Sequence, residues 1–448
     1  MPGKRPINAD LPAVPEEGRP QRQSSFRASE IDHTKGGSKP DARGRRRGRR
    51  PVPAALKAIG GLVVVAVVFL VAAIVGGGGP HRSGAGSTAR PTGPLETPAP
   101  EAVEEIGYPS FATNNTTRIG GSDPASVAAA VALAVYPSRT PAQRPTAVAL
   151  VDEDDWQGAV AGAVLMAAPV SAPMLVTSAG DLPDATSQAL EALAPQGSAG
   201  SGRAQAFAIG AAPPPENLRT TAIGGAGPAA VAARIEAIRD KLLGEPPQHV
   251  VLVSGDTPQL ALPAAAWAAR SGDPVLFTGA DRLPTATAAA LERHDKAPIY
   301  ALGPPAAISS SVLREVARID PHVRRVSGED AVENAIALAR YANGGFGWNV
   351  NDPGHGFVVA RDDEPLTAAV AAPLSASGTW GPLLLTDDGD TLPKPLREYL
   401  LSVKPGYTTD PTRAFYNHVW VIGDQEAIDV NQQAEIDQLA ELAKIGKE

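Results

Sequence analysis

The residues best placed to do chemistry stand in three acidic turns, Asp152-Glu-Asp-Asp155, Ser254-Gly-Asp256 and Arg361-Asp-Asp-Glu364. Each turn follows a short apolar run, and the next apolar run closes on a threonine, at Thr177, Thr278 and Thr386. In open α/β sheets ligands sit outside the carboxyl ends of the strands, which is where all these residues would fall. Asp154, Asp155, Asp256, Asp362 and Asp363, with the three threonines, could then form a rim that hydrogen-bonds sugar hydroxyls or coordinates Ca²⁺, a hard cation that takes oxygen ligands. The same carboxylates at a strand-to-helix turn also cap the helix and complement its dipole. The turns differ in sequence and show no calcium-loop spacing, which favours capping.

Other chemistry finds little support. Gly225-Ala-Gly227-Pro-Ala-Ala230 matches the G-x-G-x-x-A pattern, but its counterpart Gly121-Ser-Asp123 lacks the second glycine and no ribose-binding acid follows a convincing second strand. The seven histidines are scattered without metal spacing, and the absence of cysteine removes disulfides, thiolate metal sites and a cysteine nucleophile. There is no phosphate-binding loop and no G-x-S-x-G elbow. The reading is non-enzymatic, with no cofactor beyond a Ca²⁺ held by the acidic turns.

The elements that position those turns recur. Pro173-Met-Leu-Val-Thr177, Pro274-Val-Leu-Phe-Thr278 and Pro382-Leu-Leu-Leu-Thr386 are separated by 101 and 108 residues, and each leads to Leu-Pro and a helical run. A self-similar period decides what the domain unit is. Within each period, continuously apolar strands alternate with helices, as in Ala147–Val151, Met174–Thr177 and Ala206–Ile209 of the first copy. Such strands are covered on both faces of a parallel sheet. The expectation is an α/β fold of three tandem doubly wound modules, Rossmann-like or flavodoxin-like, over residues 118–218, 219–323 and 324–448. The third copy carries two insertions. Asn343–Gly356 holds Phe346 and Trp348, and Lys404–His418 lengthens another connection; both read as contact surfaces or as tolerated loop growth.

Charge is divided along the chain. Residues 1–52 carry 13 Lys/Arg against 6 Asp/Glu, a net of +7, which leaves −15 for the rest. The first 52 residues have too few apolar groups to offset the entropy of ordering and read as a disordered cytoplasmic tail. Residues 58–75 are free of charged and strongly polar side chains, and 53–76 read as one transmembrane helix. The six arginines between Arg43 and Arg50 keep the tail inside and place the remainder outside. This position explains the polyarginine without nucleic acid. Residues 77–117, rich in Gly, Pro, Ser and Thr, read as a flexible stalk.

The modules resemble the type 2 cell wall-binding repeat family, which occurs as three tandem copies in bacterial surface proteins. The features that carry the resemblance are the P-x-L-L-T-like strand with its L-P, the strands ending at Gly210, Gly303 and Gly423, and module starts similar to R-x-S-G-x-D at Arg118–Asp123 and Arg325–Asp330. The resemblance covers residues 118–442. It implies non-covalent binding to anionic cell-wall polymers by modules packed as an intramolecular trimer. The continuation Arg-Tyr-x-x-Thr-Ala is missing, Pro124-Ala-Ser-Val127 standing there instead, and the acidic ectodomain would repel an anionic polymer unless the repulsion is overcome locally or by cations. A tethered sugar receptor and a head that contacts an envelope protein are the rival readings.

Overall fold

Continuous apolar runs can be buried on both faces, and they do form buried strands, the recurring Pro-x-Leu-x-Thr-like runs standing at one edge of each sheet. The computed structural model describes residues 111–294, 297–377 and 380–446. The first copy runs β1 (Phe111–Ala112), β2 (Thr116–Ile119), α1 (Pro124–Val135), β3 (Val148–Asp152), α2 (Trp156–Gly162), β4 (Met174–Thr177), α3 (Asp184–Leu193) and β5 (Ala206–Ile209). The second runs β6 (Thr220–Ile223), α4 (Pro228–Leu243), β7 (Val250–Ser254), α5 (Pro258–Ser271), β8 (Val275–Thr278), α6 (Thr285–Arg293), β9 (Ile299–Leu302) and α7 (Ser310–Ile319). The third runs β10 (Val323–Val326), α8 (Ala331–Arg340), β11 (Gly356–Arg361), α9 (Pro365–Val370), α10 (Ala372–Ala376), β12 (Leu383–Thr386), α11 (Lys394–Ser402), β13 (Gly406–Tyr407), β14 (His418–Ile422), α12 (Val430–Ala440) and β15 (Ala443–Lys444).

Beside a small parallel pair of β13 and β15, three four-stranded parallel sheets result among the described residues, ordered β4-β3-β5-β6, β8-β7-β9-β10 and β12-β11-β14-β2, with β1 antiparallel on the edge of the third. Each has the strand order of a doubly wound fold, the chain leaving the centre in opposite directions. The α/β expectation with mostly parallel sheets therefore holds. The expected transmembrane helix at 53–76, the tail and residues 77–110 of the stalk lie outside the described residues. Among the described residues no helix is long and apolar enough to cross a membrane.

Each sheet takes its fourth strand from the start of another repeat. β6 opens the second repeat but pairs with β5 of the first, and β10 opens the third but pairs with β9 of the second. β2, at the start of the first repeat, pairs with β14 of the third, Ile119 standing opposite Ile422. The expected stalk therefore ends earlier than residue 117, because residues 111–112 and 116–117 are strand. The expected boundaries at 118 and 324 cut through β2 and β10.

The arginine, glycine and aspartate of the resemblance motif are structural. Arg118 is 1% exposed, and its guanidinium donates to the carbonyls of Gly423 (3.0 Å) and Ile428 (2.6 Å) and to Gln433 Oε1 (2.9 Å). Burial pushes its pKa down to about 10, against the pull of Asp424 and Asp429, so it stays charged at neutral pH. Arg325 repeats the clasp on Gly303 and Ile308, whereas Ala222 holds the equivalent place in the second repeat. At Gly328 a Cβ would lie 2.2 Å from the Glu333 carbonyl carbon, so no side chain fits. Asp123 and Asp330 are N-caps, accepting from Ser126 N at 2.9 Å and Glu333 N at 2.8 Å.

The middle helices of the three repeats meet at the centre: α2, α5, and the α9–α10 pair pack on one another. From Leu260 to Ala269 every residue of α5 is buried, six of them alanine. A helix apolar all round belongs in a core, and small side chains let three backbones approach. One hydrophobic cluster accordingly runs through all three repeats.

The insertion at Asn343–Gly356 turns inward. Phe346 is 1% exposed, stacks on Tyr300 of the second repeat with centroids 3.7 Å apart, and meets Trp267 edge-on at 5.0 Å. It is a clamp between repeats rather than a contact surface. Phe346→Ala should cost about 3–5 kcal/mol in denaturant unfolding, the usual toll of emptying an aromatic site. Arg118→Ala should cost roughly 3 kcal/mol or more, since it strands buried carbonyls. Because the core is shared, both variants should shift one cooperative transition; separate transitions for single repeats would contradict this packing.

Candidate functional site

At the carboxyl ends of the strands, where the first and third repeats meet, lies an open cleft of about 390 Å³. The loop after β2 contributes Asp123, the turn after β3 contributes Glu153, Asp154 and Trp156, the turn after β11 contributes Glu364, and the loop after β14 contributes Asp424. Among the described residues no Lys, Arg or His lines it. Trp156 is held edge-on against Phe277 of the second repeat at 5.9 Å, so its indole is fixed at the cleft.

The carboxylates are uneven in freedom. Asp123 is committed to capping α1, and Asp424 Oδ1 accepts from the backbone of Glu426 (2.9 Å) and Ala427 (3.0 Å). Glu153 accepts from the Ser178 hydroxyl at 2.5 Å. Burial pushes the Glu364 carboxyl above its ordinary value, with Asp363 and Asp424 adding repulsion and Thr367 and Arg361 opposing. Outside the cleft, burial likewise raises Asp362, with Asp363 and Asp387 adding to it.

The eight residues singled out from sequence are dispersed. Asp154 is exposed and lines the cleft. Asp155 caps α2 through Gly158 N at 2.7 Å. Its carboxylate also explains Gly210, where φ is +63° and a Cβ would lie 2.4 Å from Asp155 Oδ2. Asp256 accepts from Ala280 N at 3.3 Å. Asp363 forms a two-pronged pair with Arg361 at 2.9 and 2.7 Å, which holds its carboxyl below the ordinary value. Thr177, Thr278 and Thr386 are buried, with hydroxyls donating to backbone carbonyls of Val151, Gly279 and Asp388. They do not reach the cleft. Glu153, Trp156, Glu364, Asp123 and Asp424 are cleft residues outside the eight singled out from sequence; Trp156, next to the acidic turn, was the available signal.

Among the described residues, the one group of potential metal ligands whose atoms lie within 4.8 Å of one another is Glu236, Asp240 and His294, remote from the acidic turns in sequence. Arg293 pairs with Glu236 and Arg239 pairs with Asp240 at 2.7 Å, so positive charge is already supplied there. A nitrogen donor beside two guanidiniums does not suit Ca²⁺.

With the fold and cleft in view, the relationships become specific. Residues 222–313 match the family Cell wall binding domain 2 (CWB2). The resemblance read from the repeats thus stands, and it is shown most directly for the second copy. The CWB2 match begins within β6 and ends within α7, so the matched segment starts in one sheet and supplies three of the four strands of the next. The chain is also similar to the solved structures of Cwp6 and Cwp8 from Clostridium difficile. Identities are 18% and 20% and TM-scores 0.58 and 0.55, over 73% of this chain in each case. The matched parts are 47% and 52% of those chains, about half their length. At such identities the likeness is one of fold. No curated protein sequence matches the chain.

The electrostatics make a checkable statement. Glu364 has a folded pKa above its unfolded one, so its charge opposes folding at neutral pH, and that penalty disappears as pH falls through the folded pKa. Glu364→Gln should raise the melting temperature at pH 7, with the gain shrinking on acidification. An unchanged or lowered melting temperature at pH 7 would show the cleft carboxylates to be well compensated.

Proposed function

We propose that this is a non-enzymatic, outward-facing cell-envelope protein whose three-repeat head binds cell-wall polysaccharide. The observation that carries the reading is the CWB2 match at residues 222–313, a binding family rather than a catalytic one. The acidic cleft supports a particular chemistry. An indole beside carboxylates suits a hydroxyl-rich sugar, since the ring packs on the apolar face of the sugar and the oxygens accept its hydroxyls. A lining without cationic side chains does not suit a bare anion. Residues 53–76 would anchor the head to the membrane, so that the protein bridges membrane and wall.

A second reading has its own observation. Phe415 and Tyr416, in the Lys404–His418 extension, are 71% and 54% exposed, and such aromatics suit a protein contact in an envelope assembly. The two readings separate in a sedimentation experiment. An ectodomain that begins upstream of Phe111, so that β2 is retained, should co-sediment with wall material stripped of proteins, and Phe415→Ser/Tyr416→Ser should co-sediment equally. Loss of the wild-type pull-down from every wall fraction would sink the wall reading. Retention by protein-containing envelope alone would favour the second.

A further inference from the structure

On the opposite edge of the sheets, at the amino ends of β7, β8 and β12, lies a second hollow of about 350 Å³ between the second and third repeats. The chain has five tryptophans, and three of them, Trp267, Trp348 and Trp380, line this hollow. Its floor is built. Asp273, 2% exposed, accepts from Trp267 Nε1 (2.9 Å) and His249 N (3.1 Å) and pairs with His249 Nδ1 (3.1 Å). The backbone of Gly344 answers the other ring nitrogen of His249 at 3.2 Å. One carboxylate therefore fixes two aromatic rings.

The rim is the opposite of the floor. The Arg270 guanidinium lies 4.1 Å from the centroid of the Trp380 ring. Among the described residues it has no ion-pair or hydrogen-bond partner. Stacking on an indole orients a guanidinium and leaves its in-plane donors free, the arrangement that recognises carboxylate or phosphate. Trp380 is 48% exposed, an indole face left open to solvent. The buried Nε1 of Trp348 has no hydrogen-bond partner either, a donor still unanswered at the hollow. Aromatic faces, an unanswered donor and an unopposed cation converge in a volume within the usual range of small-molecule sites.

We infer that this hollow binds a sugar unit bearing a negative substituent, a carboxylate or a phosphate, with Trp380 as platform and Arg270 as anion receptor. This deepens the wall-binding reading and rests on it for the biological source of the sugar. The Asn343–Gly356 insertion supplies Trp348 and the Gly344 carbonyl, so the site belongs to this chain's third repeat and has no counterpart in its other two.

The test is a tryptophan-fluorescence titration of the full chain in detergent with oligogalacturonate, polyglycerol phosphate and neutral maltohexaose. At least one anionic probe should bind, about tenfold or more tighter than maltohexaose, and the two anionic arms separate carboxylate from phosphate. Arg270→Gln and Trp380→Ala are exposed substitutions that should leave melting unchanged and weaken binding by about tenfold or more; Glu364→Gln in the other cleft should not weaken it. Equal binding by Arg270→Gln, or no binding of either anionic probe, overturns the inference. Wall co-sedimentation by the same preparations separates the two ideas: retention of both variants on wall keeps wall binding while removing this site from it.

Discussion

Everything in the head depends on a strand that each sheet lacks. Three strands per repeat are contiguous in sequence, and the fourth comes from the repeat that follows, or, for the third sheet, from the chain's first repeat. Without β2 the backbone of β14, Val419 to Ile422, would be an unpaired apolar edge, the sort that invites another chain. Pairing β2 there closes the three repeats into a ring. Arg118 secures the closure, because its guanidinium reaches carbonyls beyond the end of β14 that no strand partner can satisfy. Asn115 adds a second tie, donating to Asp437 Oδ1 at 2.8 Å from the other side of the same joint. This joint ties the first repeat to the third, as β6 and β10 tie the other repeats together.

Ring closure in turn constrains the centre. Three helices that converge on one axis cannot carry bulky residues on every face, and the chain answers with alanine, Ala261, Ala264, Ala265, Ala266, Ala268 and Ala269 in α5 alone. The price appears as irregularity. α2 tightens into a 3₁₀ turn at Ala163–Met166, the corresponding helix of the third repeat breaks in two at Ala371, and α5 carries Pro263 within it. Asn334, fully buried on α8, donates to the Leu260 carbonyl at 3.1 Å in the first turn of α5, a polar tie from the third repeat into the second. Alanine richness thus has a use in this fold whatever its origin in base composition.

This geometry explains what could and could not be read from sequence. β4, β8, β12, β5 and β9 were legible to the residue, because a strand buried on both faces is written as an unbroken apolar run. The borrowed strands were not. Thr116–Ile119 contains a buried arginine, and Val323–Val326 and Thr220–Ile223 are only part buried, so neither pattern reads as an interior strand. α7 was missed as well, its buried face amounting to Val312 and Val316. In the candidate site the positions were legible and the roles were not. Asp155 and Asp363 stand where expected after their strands, but one caps a helix and the other is held by Arg361. The threonines reach the right strand ends, yet their buried hydroxyls bond to neighbouring backbone carbonyls.

The last question is how a chain whose residues 53–448 carry a net charge of −15 would meet the charged sugar proposed for it. Net charge acts over distance, and at physiological ionic strength the screening length is about 8 Å, so it governs approach more than contact. Contact is decided by what each hollow presents. The cleft between the first and third repeats offers oxygens and one indole, a surface for hydroxyls. The hollow between the second and third offers indoles and a guanidinium without an ion-pair partner among the described residues, over a floor that holds the buried Asp273. The two lie at opposite ends of the strands, the acidic one where the sheet topology opens and the cationic one where an insertion has been folded in. A polymer bearing both hydroxyls and sparse charges could engage both. The repeat architecture supplies the first surface by its topology, and the third repeat's departure from the pattern supplies the second.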